Sequence, residues 1–192
     1  MAHVQPADPR EPAGNLKALA VLTNAGLVLL STAFLYSPSN TVMGLLVLVT
    51  LLALAAEAIV RSVWIRRCWS NAEVLAPGSQ RCGRGWAVGV WFVPLVQLWL
   101  PRRVTVDLRR ASGLPDSGVV NLWWGVSIAV YVSYVMAAFR DLHLVAVLAE
   151  CALALVRMVA FIRIIGQITS RQAEALGLPP VTKLGQRASQ HA

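Results

Sequence analysis

The chain has few charged residues, few cysteines and few histidines. Charged side chains make up 14% of its 192 residues, whereas a soluble domain normally carries about a quarter. In their place, 57% of the residues are hydrophobic and the mean hydropathy is +0.61. This shortage of charge, together with apolar runs of about 20 residues, indicates a membrane protein rather than an ordinary soluble domain.

The cysteines and histidines are too scattered to build a site. The sequence has no C-x-x-C pair and no histidine cluster, so we expect no disulfide framework, no metal site and no cofactor. It also lacks a nucleophilic triad and a glycine-rich phosphate loop after a strand. The residues concerned are Cys68, Cys82, Cys151, His3, His143 and His191.

Acidic residues are outnumbered by basic ones, nine to 17, which gives a net charge of +8. In a soluble protein this excess would suggest nucleic acid, but no basic run interleaved with aromatics stands in a polar domain. Arginines beside membrane spans orient a protein and contact anionic lipid headgroups. We therefore expect the lipid bilayer and its anionic headgroups as partners, and no nucleic acid.

Four apolar runs are long enough to cross a membrane as helices. They lie at about 16–36, 42–60, 122–139 and 142–165, and the second helix is expected to continue to 75, where Ala-Pro-Gly breaks it. The first run is too long for a signal peptide and no cleavage site follows, so it is predicted to be retained. A single transmembrane domain, 15–170, is thus expected between a disordered tail, 1–14, and a flexible tail, 171–192, that is helical up to Leu176 at most.

The stretch GWAVGVWFVPLVQLWLPRR, residues 85–103, is apolar for sixteen residues but carries Pro94 in its middle. If it spanned the membrane, the arginine-rich loops 61–84 and 101–118 would face opposite sides. If it returns to the side that it left, Arg140 is the only basic residue predicted outside the cell, as the positive-inside rule requires. We therefore predict a re-entrant or interfacial segment over 85–112, with a kinked span as the alternative.

All seven tryptophans lie between residues 64 and 124, which this topology places at the cytoplasmic interface. The stretch PRRVTVDLRRAS that follows fits an amphipathic helix on an anionic leaflet. The alternation of Val104, Val106 and Leu108 also fits a strand, but a lone strand would leave open edges. The predicted face for lipid or a protein partner comprises Trp86, Trp91, Trp99, Arg102, Arg103, Arg109 and Arg110.

The expected fold is an all-α membrane protein. It is a four-transmembrane-helix bundle with a Trp-rich re-entrant or interfacial helical segment on the cytoplasmic side. We expect it in the bacterial plasma membrane, with both termini in the cytoplasm.

Ionisable residues inside spans are candidates for function because burying them is costly. Counted along their helices, Glu57 and Arg157 reach the same depth, which predicts an ion pair between the second and fourth spans. Asn24 and Gln97 are expected to complete this buried polar cluster. In the alternative, Glu57 pairs with Arg61 one turn along its own helix and Arg157 extends to the headgroups.

Glu150 has no opposite charge at its level in the predicted bundle. Two interpretations remain open: it is a neutral, hydrogen-bonded carboxylic acid, or it carries a proton or acts as an intramembrane acid.

The middle of the chain resembles a family of actinobacterial-type membrane domains of unknown function. The resemblance covers about residues 40–170, and it implies a multipass inner-membrane protein with no known reaction, cofactor or catalytic residue. In that family we expect Asn at the position of Gln97 and often an aromatic residue at the position of Arg102. The residues that carry it are Trp64, Arg67, Asn71 and Ala72, GWAVGVWFVPLVQLWLPRRV at 85–104, Leu108, 110–112 and NLWW at 121–124.

We therefore predict a non-catalytic accessory, sensory or scaffolding subunit that works through its cytoplasmic Trp/Arg face. The alternative is a small intramembrane enzyme acting on a lipophilic, isoprenoid-like substrate, with Glu57 or Glu150 as the acid and the tryptophans stabilising cations. A transporter subunit is disfavoured because no pair of half-helices is apparent.

Overall fold

The computed structural model describes residues 6–36, 39–93, 95–115, 118–137 and 144–179. Six α-helices and a short 3₁₀ helix, Val96–Leu98, occupy most of this part, and it contains no strand. The prediction of an all-α fold is confirmed, and the strand alternative for 104–108 is excluded. The helices are α1 Arg10–Tyr36, α2 Asn40–Leu75, α3 Arg84–Gly89, α4 Leu100–Ala111, α5 Gly118–Ala137 and α6 Leu144–Ala175.

The first helix begins earlier than the sequence suggests, within the segment for which we predict a tail. The Asp8 carboxylate accepts hydrogen bonds from the backbone N–H and from the side chain of Arg10, at 3.0 and 2.9 Å from its Oδ1. This carboxylate caps the free N–H groups of a helix start. Pro12 suits the first turn, where it has no hydrogen bond to lose. Ala13 and Leu16 of this early turn are buried.

The second helix is unbroken from Asn40 to Leu75, the residue at which we expect it to end. It stops ahead of Pro77 and of Gly78, which has a positive φ of 73°. The last helix continues ten residues past 165 and ends at Ala175, ahead of Gly177, which is also at positive φ. There the Leu178 N–H donates to the Ala173 carbonyl at 3.0 Å, an arrangement that satisfies helix-end carbonyls.

Of the described helices, α1 over Arg10–Ala33 and α2 over Asn40–Leu75 are long and apolar enough to cross a membrane, and α5 contains a shorter apolar stretch, Gly118–Ser133. Four spans therefore remain a prediction. The apolar surface of α2 is largely exposed along its first half, unlike that of a core helix in a soluble protein. Its exposed large side chains there include Leu45, Leu48, Val49, Leu51 and Leu52.

The long helices pack around α1 and α6. Asn71 contacts Ala7 and Glu57 contacts Thr23, so α1 and α2 run antiparallel. In contrast, α2 and α6 run parallel, because Trp64 donates to Thr169 and Gln172 donates to the carbonyl of Cys68. Helix α5 packs against α6. The buried core lies mainly where α1 begins and where α2 and α6 end.

The segment between α2 and α4 begins and ends at the same end of the bundle. At that end, Trp69 donates to the Cys82 carbonyl at 3.1 Å, and Arg81 forms an ion pair with Asp107 of α4 at 3.4 Å. Between these points Gln97 donates to the Tyr131 hydroxyl at 3.0 Å, about 20 Å along α5 at the helical rise. Pro94, residues 138–143 and parts of both predicted tails lie outside the described residues.

A close approach of α1 and α2 generates a stability prediction. A Cβ at Gly26 would lie 2.7 Å from Thr50 Oγ1 and 3.2 Å from its Cγ2, and Thr50 is buried. Because a β-branched side chain has little rotamer freedom, we expect Gly26→Ala to lower the unfolding free energy by about 1–3 kcal/mol. The thermal unfolding midpoint of the purified protein in detergent measures this loss.

Gly44→Ala is the matched control, since a Cβ there meets nothing within 4 Å. Helix propensity alone should make it neutral or slightly stabilising. Equal midpoints for the two variants would contradict the close approach at Gly26.

Candidate functional site

A cavity of about 370 Å³ lies between α1, α2, α5, α6 and the segment before α4. We call it the bundle cavity. All four residues of the predicted polar cluster line it: Asn24, Glu57, Gln97 and Arg157. The remaining walls are largely apolar and aromatic, and include Leu27, Leu54, Trp124 and Met158.

The predicted ion pair between Glu57 and Arg157 is wrong. Glu57 instead contacts Arg61 on the next turn of α2 and accepts a hydrogen bond from Thr23. Arg157 donates to the side-chain oxygen of Asn24 at 2.8 Å. The i,i+4 pair wins because both groups already share one helix face, so no interhelical register is needed.

Arg61 also lines the bundle cavity, although we predict it only as an alternative partner of Glu57. Its guanidinium lies 4.9 Å from the ring centroids of both Trp91 and Phe161, within cation–π range of each. Trp123 stacks on Phe161 at 5.7 Å and contacts Trp91 at 5.9 Å. We call Trp91, Trp123 and Phe161 the aromatic cage. Its members are far apart in sequence, so only the fold reveals it.

The aromatic cage changes the interpretation of the tryptophans. Trp86 and Trp99 are exposed, as a surface face requires, whereas Trp91 is half-buried and faces Arg61. Among the described residues, neither the indole N–H of Trp91 nor Nε of Arg61 has a hydrogen-bond partner, although both atoms are buried. Trp91 therefore belongs to the bundle cavity rather than to the outer face.

A second cavity, of about 310 Å³, is lined by all four arginines of the predicted face. We call it the arginine pocket. Residues of α4, of the loop before α3 and of the start of α5 form it, and among the described residues of its lining Asp107 is the one acid. Its arginines are Arg81, Arg102, Arg103, Arg109 and Arg110.

The arginines of this pocket differ in their surroundings. Arg102 donates to Asn121 Oδ1 from Nη2 at 2.6 Å, and Arg103 and Arg110 are exposed. Arg109 is buried instead of lying on the surface as predicted, and it donates to Gln167 of α6 at 2.6 Å. A buried guanidinium needs such partners, so Arg109 ties α4 to α6.

Asp107 lies on the buried side of the arginine pocket. Burial raises the pKa of its carboxyl above the ordinary value of 3.8, and the ion pair with Arg81 opposes this rise. The described lining of the pocket therefore contains more guanidinium groups than carboxylates. Such a surface favours anions.

A polar network holds together the end of the bundle where α2 and α6 end. The Asn71 side chain accepts from the Ala7 N–H at 2.9 Å, donates to the Ala7 carbonyl at 2.8 Å, and donates to Gln172 Oε1 at 3.1 Å. Gln172 is completely buried and donates to the Cys68 carbonyl and to Ser112 Oγ. We did not predict a role for Gln172, because it falls in the expected tail 171–192.

Glu150 is buried in α6, but it lines neither of these two cavities. Within the described ranges, no hydrogen bond or ion pair is assigned to it. Arg140 and His143 lie outside those ranges. A role for Glu150 stays a prediction.

Residues 28–170 match a family model described as a domain of unknown function, DUF4328. This chain belongs to that family. No curated protein and no solved structure matches it significantly. The DUF4328 region covers about three quarters of the chain and contains the whole arginine pocket, whereas Thr23 and Asn24 of the bundle cavity precede it.

The network around Asn71 generates a prediction for a residue of the family resemblance. Asn71→Ala would leave the Ala7 peptide group and Gln172 Oε1 without their partner. We expect it to lower the unfolding free energy by about 1–3 kcal/mol, the cost of unsatisfied buried polar groups. Thermal unfolding in detergent measures the loss.

Asn121→Ala serves as the control, because Asn121 is exposed and its Oδ1 accepts from the side chain of Arg102. It should shift the unfolding midpoint much less. If both variants were equally tolerated, the network around Asn71 would contribute nothing to stability.

Proposed function

We propose that this chain is a four-span protein of the bacterial plasma membrane, of the actinobacterial type, with both termini in the cytoplasm. It acts as a non-catalytic accessory, sensory or scaffolding subunit. Its arginine pocket binds the phosphate groups of anionic lipid headgroups, and the exposed Trp86 and Trp99 contact the interface beside it.

The excess of arginine in one pocket is the observation that carries this proposal. Within the described part of the chain, five guanidinium groups and one acid line it, and guanidinium is the side-chain group that matches phosphate geometry. The pocket lies on α4 next to the ends of α2 and α6, where the positive-inside rule expects the cytoplasm. It also lies wholly inside the DUF4328 region.

The length of α2 supports a position of the arginine pocket outside the hydrocarbon core. With 36 residues, α2 is ~54 Å long at the helical rise, which exceeds a ~30 Å hydrocarbon core by ~24 Å. Its exposed apolar residues fill the first half, and the packed core surrounds the second. On these lengths the arginine pocket belongs to an extension of the bundle beyond the hydrocarbon core, beside the headgroups.

The lipid prediction is tested with two charge-matched double variants. Arg103→Gln with Arg110→Gln removes two exposed arginines of the pocket, and Arg66→Gln with Arg163→Gln removes two exposed arginines outside it. Each basic residue near an anionic surface contributes about 1 kcal/mol. We therefore expect the pocket variant to bind fluorescent phosphatidylglycerol about 30-fold more weakly than wild type, and the other variant to bind nearly as well.

Binding is measured with the full chain in a neutral detergent, with phosphatidylcholine as the competitor. Equal losses in the two double variants would mean that charge alone, and not the pocket, attracts the lipid. Equal binding of the two lipids would overturn the proposal.

The topology is tested by cysteine labelling in a variant that lacks Cys68, Cys82 and Cys151. We expect a membrane-impermeant maleimide to label Ser39→Cys in intact cells, and Arg103→Cys only after permeabilisation. Both positions are exposed in the fold, so access depends on the side of the membrane. Labelling of Arg103→Cys in intact cells would place the arginine pocket outside and refute the orientation.

The second candidate function is an intramembrane enzyme on a lipophilic substrate, which the bundle cavity around Glu57 favours. Against it, one carboxylate oxygen of Glu57 contacts Arg61 and the other accepts from Thr23. A general acid must reach its substrate with a proton, and both oxygens of this group are already engaged by the protein. The subunit function is therefore the better supported of the two.

A further inference from the structure

The bundle cavity contains a positive charge that no acid in the described structure balances. Three charged side chains line it: Glu57, Arg61 and Arg157. Arg61 is paired with Glu57 and lies within the aromatic cage, so this pair contributes no net charge. Arg157 contacts the neutral side chain of Asn24. A partly buried cation without a counter-ion is costly, more so in apolar surroundings.

The polar groups of the cavity are also unequally distributed between donors and acceptors. Four acceptor oxygens are already engaged: Asn24 Oδ1 accepts from Arg157, the Tyr131 oxygen accepts from Gln97, and both Glu57 oxygens are in contact with the protein. Gln97 Oε1 is an acceptor for which the described residues provide no donor. Donors remain. A guanidinium has five N–H donors, of which one from Arg157 is used, and the Trp91 indole N–H has no partner in the described part of the chain.

From this charge and this surplus of donors, we infer that the bundle cavity binds a single-chain amphiphile that ends in an oxyanion. The carboxylate or phosphate of the ligand contacts Arg157, which supplies two parallel N–H groups to such an anion. The chain of the ligand lies against the apolar wall formed by Leu27, Leu54 and Met158 and against the aromatic cage. No bond is made or broken.

The size of the cavity agrees with this class of ligand. At about 370 Å³ it falls within the range of small-molecule sites. Like those sites, it combines an apolar wall with few polar groups that fix orientation. The inference goes beyond headgroup binding, because the arginine pocket and the bundle cavity share no lining residue.

The test uses the full chain in nanodiscs of zwitterionic lipid and two probes of equal chain length, 11-bromoundecanoate and 11-bromoundecanol. Bromine quenches nearby indoles, and Trp91, Trp123 and Trp124 line the cavity. We expect saturable quenching by the acid, with an affinity at least about tenfold higher than that of the alcohol, because a hydrogen bond to a charged group outweighs one to a neutral group.

Two variants locate the binding. Arg157→Gln should remove the preference for the acid, whereas Arg163→Gln, at an exposed position of the same helix, should retain it. Ser127→Leu adds bulk to the cavity without changing its charge, and should weaken both probes. If Arg157→Gln fails to fold, as judged by its helical circular dichroism, the inference is still tested by Ser127→Leu and by the comparison of acid with alcohol.

Competition by dodecanoate and by dodecyl phosphate identifies the head of the ligand, and displacement by either supports the inference. The double variant Arg103→Gln with Arg110→Gln should bind the brominated acid like wild type, which separates this site from the arginine pocket. Equal affinities for acid and alcohol in wild type, or unchanged binding in both Arg157→Gln and Ser127→Leu, would overturn the inference.

Discussion

The structure depends on the side-chain amides of Asn71 and Gln172. Asn71 binds both backbone polar groups of Ala7, and Gln172 joins α6 to α2 through the Cys68 carbonyl and to α4 through Ser112. In an apolar interior each of these groups would be costly without its partner. The same two side chains thus fix the start of α1, the parallel register of α2 with α6 and the position of α4. The arginine pocket and the bundle cavity are built on these positions.

Arg109 and Arg61 also need partners, because their guanidinium groups are at least partly removed from water. They find these partners in different ways. Arg109 is buried, and it compensates by donating to Gln167. Arg61 combines an ion pair with Glu57 and two aromatic faces. Among the described residues, Arg157 has the neutral Asn24 as its partner. This difference separates arginines that stabilise the fold from an arginine that is available to a ligand.

Helix type and most helix ends could be predicted from the sequence, because they depend on local signals. The Ala-Pro-Gly sequence ends α2 where we expect it, and the period of Val104, Leu108 and Ala111 gives α4 its buried face. The start of α1 is harder to predict, because Asp8 caps the helix inside a segment whose prolines suggest a tail. The family resemblance predicts a domain of unknown function, and membership of DUF4328 confirms this part of the prediction.

The membership of the polar cluster could also be predicted, but its pairing could not. Counting residues along two parallel helices places Glu57 and Arg157 at a similar depth, and both line the bundle cavity. Depth along the helix axis does not determine on which face of the helix a side chain lies. Three features depend on the helix face, which only the packed structure shows. They are the pairing of Glu57 with Arg61 instead of Arg157, the aromatic cage and the burial of Arg109.

The length of α2 and α6 has a mechanical consequence. The two parallel helices extend together beyond the apolar half of the bundle and are joined at their far end by Gln172. In a bilayer such a pair acts as a lever arm, because changes in thickness are accommodated by helix tilt. For an extension of ~24 Å, a tilt of about 10° displaces the tip by ~4 Å. If the chain spans a bilayer as proposed, a change in bilayer thickness would thus move the far end of this helix pair.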